Sequence, residues 1–130
     1  MTPFIANIIK QGCPTVDIGA PFIEIVQTLA KAHTGTLVVV DKNRKVMGIL
    51  SERDIVRHLS RQKAVESCTA KNLMTKNIIS ADSKVTSSGL MALMVQNNIR
   101  HVPIINDGEL LGLVSITDVI TRLLDKQLKE

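Results

Sequence analysis

The side chains with the most chemistry in them lie in a short pattern that occurs twice. Ser51-Glu52-Arg53-Asp54 and Ser115-Ile116-Thr117-Asp118 each set a hydroxyl three residues ahead of a carboxylate. A third group, Arg100-His101, sets a permanent cation beside an imidazole. A carboxylate can accept from both hydroxyls of a vicinal diol. A guanidinium grips an oxyanion at two points, and the free N–H groups at a helix start favour an anion. Such groups, with the basic net charge, suit an anionic partner without identifying one. The chain has no P-loop, no G-x-G-x-x-G and no G-x-S-x-G, and neither serine has a histidine at an activating spacing. No catalysis and no catalytic cofactor are therefore expected. The plain alternative is structural: each serine is an N-cap and each aspartate the N3 member of a capping box near the positive end of the helix dipole. One such pattern is an ordinary helix start. Two in 130 residues indicate an internal duplication.

The elements that would carry these residues repeat as well. A shift of 65 places Asn7-Ile8-Ile9 on Asn72-Leu73-Met74, Thr15-Val16-Asp17 on Ser80-Ala81-Asp82, and Leu37 to Asp41 on Val102 to Asn106. A one-residue deletion in the following turn changes the shift to 64 and brings Gly48 onto Gly112 and Asp54 onto Asp118. Each half reads as a weakly helical lead-in (Pro3 to Lys10, Ala70 to Thr75), then a brief extended piece at Thr15-Val16 or Asn77 to Ser80. An amphipathic helix follows, with Phe22, Ile25, Val26 and Leu29 at helical spacing and Pro21 in its first turn. In the second half Val85, Leu90, Leu93 and Met94 play that part less strictly. Two strands come next. Leu37 to Val40 is a continuous apolar run, as for a strand covered on both faces. Asn106-Asp107-Gly108 is a hairpin signal, and Pro103 argues for an edge or a strand start. A capped helix closes each half. The expected fold is α/β (α+β): two β-α-β-β-α repeats, residues 1–62 with the lead-in and 71–130, joined by a polar linker at 63–70. Units that small are insecure alone, so two sharing a core through their sheets, with pseudo-two-fold symmetry, make physical sense.

Composition limits the partners. Net charge is +4 and only Phe4 and Phe22 are aromatic, so the core is aliphatic and aromatic stacking on a base is unavailable. The one dense basic stretch, Lys42-Asn43-Arg44-Lys45, reads as a solvated turn. Without a basic stripe, interleaved aromatics or a helix-turn-helix, nucleic-acid binding ranks low. No apolar run reaches membrane-spanning length and no signal peptide is seen, so a cytoplasmic location with no membrane partner is expected. Cys13 and Cys68 are far apart and read as reduced thiols. His33 and His58 fall near helix ends, where a solvated histidine is ordinary. No local spacing suggests a metal site.

Gly-aliphatic-aliphatic-Ser/Thr-x-x-Asp at the end of a duplicated β-α-β-β-α unit resembles the CBS domain, and two copies resemble a CBS pair or Bateman module, such as the small stand-alone bacterial ones. Ile99-Arg100-His101-Val102-Pro103-Ile104 is similar to the family's Arg-His-x-Pro pattern. The resemblance implies a regulatory module that binds an adenine nucleotide (AMP, ADP or ATP, or NAD(H) or S-adenosylmethionine) in clefts between the repeats. It implies that Asp118 and Asp54 grip ribose, that Ser115, Thr117 and Ser51 supply hydroxyls, and that Arg100 and His101 meet phosphate. Backbone groups near Thr15-Val16 or Ile79-Ser80-Ala81 would read the adenine edge. The first half has Gly35-Thr36 where the second has Arg100-His101, and Arg53 where the second has Thr117, so two unequal sites are expected. The resemblance also implies a homodimer, with Met91 and Met94 either packing internally or serving that face, and a protein partner it does not identify. The rival reading is a purely structural interaction module, or a segment of a larger enzyme, channel or transporter.

Overall fold

The computed structural model describes residues 1–32, 35–61 and 64–128. The expected boundary at 62/63, and His33, lie outside the described residues. The chain divides into two compact units, residues 13–78 and residues 1–12 with 79–130.

In the 13–78 unit, β1 (Thr15–Asp17), β2 (Thr36–Val40) and β3 (Val46–Ser51) form one sheet in the order β1-β2-β3. β1 runs parallel to β2, with Val16 opposite Val39. β3 returns antiparallel, with Thr36 opposite Ser51 and a bulge between Val39 and Val40. Every residue of β2 is buried, as its unbroken apolar run requires. α2 (Phe22–Lys31) buries Ile25 and Leu29 against Val16, Leu37, Val39 and Leu50. Pro21 stands one place earlier than expected, as the extended N-cap of α2. α3 (Glu52–Ser60) follows directly from β3.

The polar stretch after α3 is more than a linker. Val65 is fully buried in this core together with Ala70 and Leu73 of α4 (Ala70–Leu73). Ala70 and Lys71 donate their N–H groups to the carbonyls of Ala20 and Ile18. Ile49 and Thr75 exchange N–H···O bonds of 3.1 and 2.8 Å. Gly48 permits that approach: a Cβ there would stand 2.8 Å from the Thr75 carbonyl oxygen and 2.5 Å from Met74 Sδ.

The second unit repeats the plan. β4 (His101–Asn106) and β5 (Glu109–Ser115) pair antiparallel through the turn at Asp107 and Gly108, whose φ values of 51° and 81° suit a tight hairpin. Their bulge, between Ile104 and Ile105, sits 65 residues after its counterpart. α5 (Ser87–Asn97) and α6 (Ile116–Leu128) pack together, and the core joins Leu90, Met94, Val102, Ile104, Val114 and Val119. The lead-in helix α1 (Pro3–Lys10), capped by Thr2, completes this core with Phe4, Ile5 and Ile8. Ile8 lies over Gly112, where a Cβ would come within 3.3 Å of its Cγ2. Each lead-in thus packs on the motif glycine of the other half: α1 belongs with 79–130 and α4 with 13–78.

The extended piece expected at Asn77 to Ser80 forms no strand. Only Ala81 bridges to Ile104, through Ala81 N–H to Pro103 C=O at 3.1 Å and Ile105 N–H to Ala81 C=O at 2.8 Å. The cause is Pro103. In the first half Val38 N–H donates to Pro14 C=O at 3.0 Å. The matching donor would be residue 103, and proline has none. Ser83 and Asn106 replace the lost pairing with side-chain bonds of 2.8 and 3.1 Å that tie the segment to the hairpin.

Candidate functional site

Both motif serines stand where a strand ends and a helix begins, and both motif aspartates fold back on them. In the 79–130 unit Asp118 Oδ2 accepts from the Ser115 N–H and from Ser115 Oγ, each at 2.9 Å. Ser115 Oγ accepts the Asp118 N–H at 3.1 Å. In the 13–78 unit Asp54 Oδ2 accepts from the Ser51 N–H at 2.9 Å and from Ser51 Oγ at 3.1 Å, and Ser51 Oγ accepts the Asp54 N–H at 3.3 Å. Each is a complete capping box. It holds the carboxylate in place and uses one of its two oxygens. Among the described residues Asp118 Oδ1 takes no hydrogen bond, while Asp54 Oδ1 lies 4.0 Å from the half-exposed Arg57 guanidinium. Each serine's one hydroxyl proton is directed at its aspartate, so Ser51 and Ser115 can offer a further partner only a lone pair.

The strand register brings residues 100–101 to residues 115–118. His101 pairs with Ser115, and Ile116 N–H donates to Arg100 C=O at 2.8 Å. His101 feels both neighbours: burial lowers its pKa from 6.5, Asp118 opposes that fall and Arg100 adds to it. Arg100 and Thr117 are exposed at the rim. Ser80 is exposed and Ile79 half-buried, just ahead of the Ala81 bridge. Without an N–H at residue 103, the Ile79 carbonyl is left out of the ladder.

In the 13–78 unit the same register sets Thr36 opposite Ser51, and Glu52 N–H donates to Gly35 C=O at 2.9 Å. Thr36 is buried and Arg53 is exposed. Val16 points its side chain into the core, so only its backbone is available to a ligand, and that backbone faces β2. Pro14 C=O and Ile18 N–H both pair with β2, so alternation turns the N–H and C=O of Thr15 outward on the open edge of β1. Thr15 on β1 lies opposite Val38 and Ser51 on β3 opposite Thr36, so they stand on either side of β2, two strand spacings (roughly 10 Å) across and about 7 Å along.

Three charged residues went unnoticed in the sequence. Glu52 lies against Gly35 and Arg57 against Asp54. Arg122, one turn beyond Asp118, has a buried Nε with no hydrogen-bond partner. For Arg57 and Arg122 the i, i+3 and i, i+4 spacings from the aspartates were the available signal; Glu52, two residues before Asp54, had none. Among the described residues no three histidines, cysteines or acids converge as metal ligands, and no helix is long and apolar enough to cross a membrane.

The model of the CBS domain matches residues 5–61 and again residues 70–125. The chain belongs to the CBS domain family. It is a tandem CBS pair, α/β in class, each repeat built of strands and helices. It is 38% identical over 105 residues to an uncharacterized 17.7 kDa protein of Acidianus ambivalens, covering 78% of this chain and 62% of that one. Of two other curated relatives, uncharacterized proteins of Rickettsia prowazekii and Methanopyrus kandleri that are each 29% identical, it spans 37% and 51% of the length. Among solved structures it is similar to the CBS-domain containing protein ATU1752 from Agrobacterium tumefaciens, with 30% identity, a TM-score of 0.79 and 90% of both chains covered. It is also similar to the CBS domain pair of protein MJ0100, solved in complex with 5′-methylthioadenosine and S-adenosyl-L-methionine. There identity is 26%, the TM-score 0.81, and coverage 95% of this chain and 96% of that one.

Proposed function

We propose that this CBS pair is a regulatory sensor of adenine nucleotides. The observation that carries the reading is the cluster at the start of β4, where Arg100, His101 and Asp118 stand together although 18 residues separate the first from the last. Asp118 Oδ1 accepts from the ribose diol while Oδ2 keeps the cap. Arg100 grips the phosphate, His101 lies beside it, and the first turn of α6 adds its positive field. Backbone groups of Ile79 to Ala81 read the adenine edge, the Ile79 carbonyl as acceptor. Asp54 and Thr15 are the counterparts in the 13–78 unit, with Ser51 and Arg53 on the rim. Support also comes from the MJ0100 pair, whose two bound molecules are both adenosine compounds. The ligand regulates only if it favours one arrangement of the chain over another.

Titration calorimetry of the full chain with AMP, ATP, NADH and S-adenosylmethionine tests this. The expected result is saturable binding of at least one of them near the micromolar range, about −8 kcal/mol. Asp118→Asn keeps an acceptor for the cap and removes the charge, so it should weaken that binding at least tenfold while Tm barely moves. No heat and no thermal shift with any of the four overturns the reading.

One observation favours self-association beside sensing. Val56 and Leu59 on α3 and Ile120 and Leu124 on α6 are all more than 40% exposed, and Val56 and Ile120 are equivalent in the repeat. A second copy of this chain is the partner that matched apolar flanks suit. Sedimentation of Val56→Asp beside the parent checks it: a parent that sediments as a monomer ends this reading.

A further inference from the structure

We propose that the two units read different chemistry at the 5′ position of adenosine: the 79–130 unit takes a 5′-phosphate, and the 13–78 unit takes an adenosine whose 5′ group carries no negative charge, with Glu52 making the distinction. The inference rests on the adenosine reading above and adds what separates the sites.

The internal repeat supplies the comparison. Ribose grip and backbone edge are duplicated: Asp54 and Asp118 hold identical capping boxes, and both units bring an extended segment to the same end of the sheet. The difference is confined to the place where a phosphate would be gripped. Arg100 becomes Gly35, His101 becomes Thr36 and Ile116 becomes Glu52. Gly35 has φ +65°, a conformation that disfavours any side chain, so no cation can replace it without strain. The space a side chain would take there is filled. A Cβ on Gly35 would lie 2.9 Å from the Glu52 carboxyl carbon and 3.1 Å from both of its oxygens. The Glu52 N–H donates to Gly35 C=O at 2.9 Å, which sets the Glu52 backbone beside Gly35.

A carboxylate therefore lies beside the Cα of Gly35, the position at which the other unit carries Arg100. Two arginines stand nearby, and neither restores the grip. Arg57 lies 4.0 Å from Asp54 and partly offsets the ribose-binding charge. Arg53 and Glu52 are both exposed on the first turn of α3 and screened alike, but only Glu52 lies against Gly35. Over Glu52, Arg53, Asp54 and Arg57 the formal charge sums to zero. Over Arg100, Asp118 and Arg122 it is +1, and His101 adds to that whenever it is protonated. A phosphate seated beside Glu52 meets like charge at short range. A thioether or hydroxyl is tolerated there, and an ammonium or sulfonium is attracted.

The test is calorimetry of the full chain with three probes: AMP, adenosine and 5′-amino-5′-deoxyadenosine. One AMP per chain is expected, weakened at least tenfold by Arg100→Ala. The amino compound should bind with a component that Asp54→Asn removes, and Glu52→Gln should narrow its preference over AMP at that site on the order of tenfold. Glu52 is exposed and Asp54→Asn retains the cap acceptors, so both variants are expected to keep the fold, which circular dichroism checks. Two equivalent AMP sites per chain, or a preference unmoved by Glu52→Gln, overturn this inference while the adenosine reading stands. Binding of none of the three probes overturns both.

Discussion

His101 shows how a single residue couples stability to its surroundings. Its pKa is pushed below 6.5 by burial, against the pull of Asp118. The unfolded chain then binds that proton more readily than the folded one. Stability is complete above about pH 6.5, erodes as pH falls through that value, and stops eroding from this group once both states are protonated. Tm is therefore expected to drop as pH falls below about 6.5, and His101→Gln should remove part of the drop. A His101→Gln chain with the parent's full acid dependence would exclude this assignment. A bound phosphate favours the imidazolium, so nucleotide should protect more at the acid end. At this scale the sequence was informative about residue types. Ser-x-x-Asp and Arg100-His101 were legible from spacing alone. That Asp118 commits one oxygen to its own cap, that the side chain of Val16 lies in the core, and that Glu52 covers Gly35 depend on strand register. Spacing within one segment does not contain register.

At the scale of elements, two substitutions separate what the motif glycines and Pro103 do. A methyl on Gly48 would meet the Thr75 carbonyl at 2.8 Å, and that carbonyl is pinned by the Ile49 N–H at 3.1 Å. Gly48→Ala is therefore expected to cost about 1–3 kcal/mol, as overpacking does. The nearest atom to a methyl on Gly112 is a side-chain methyl of Ile8 at 3.3 Å, which can yield. Gly112→Ala should cost less, and urea denaturation of the two variants ranks them. Equal losses would mean that the backbone approach at Thr75 is not the constraint. Pro103→Val restores a donor opposite the Ile79 carbonyl. Its new amide is expected to exchange slowly with solvent, as a ladder hydrogen bond makes it, and fast exchange there would show the strand is interrupted for another reason. The sequence revealed the order of elements, the hairpin at Asp107-Gly108 and the turn that absorbs the deletion. It placed an extended piece at Asn77 to Ser80 by analogy with Thr15-Val16. The analogy fails because an adjacent strand has to supply the donor, and that donor lies more than 20 residues further along the chain.

The whole chain is arranged by an exchange that periodicity cannot disclose. An amphipathic lead-in announces that it has an apolar face, and either half offers a motif glycine to receive it. In the structure Ile8 lies over Gly112, and Met74 and Thr75 lie over Gly48, so each lead-in serves the half it does not precede. The polar stretch read as a linker is consumed in the same way, with Val65 sealed into the 13–78 core. This arrangement makes a directional prediction. Ile5 is fully buried beside Leu90, Val102, Val114 and Val119. Ile5→Ala should cost about 2–5 kcal/mol, a large part of a domain's whole stability of roughly 5–15 kcal/mol. The loss should fall on residues far away in sequence. Hydrogen exchange is expected to quicken first in β4, β5, α5 and α6, with β1 to β3 affected less. Leu73→Ala, buried in the other core, should give the reverse pattern, quickening β1 to β3 although residue 73 stands in the second half of the chain. If Ile5→Ala instead loosened β1 to β3 first, the lead-in would be serving its own half and the exchange would be wrong.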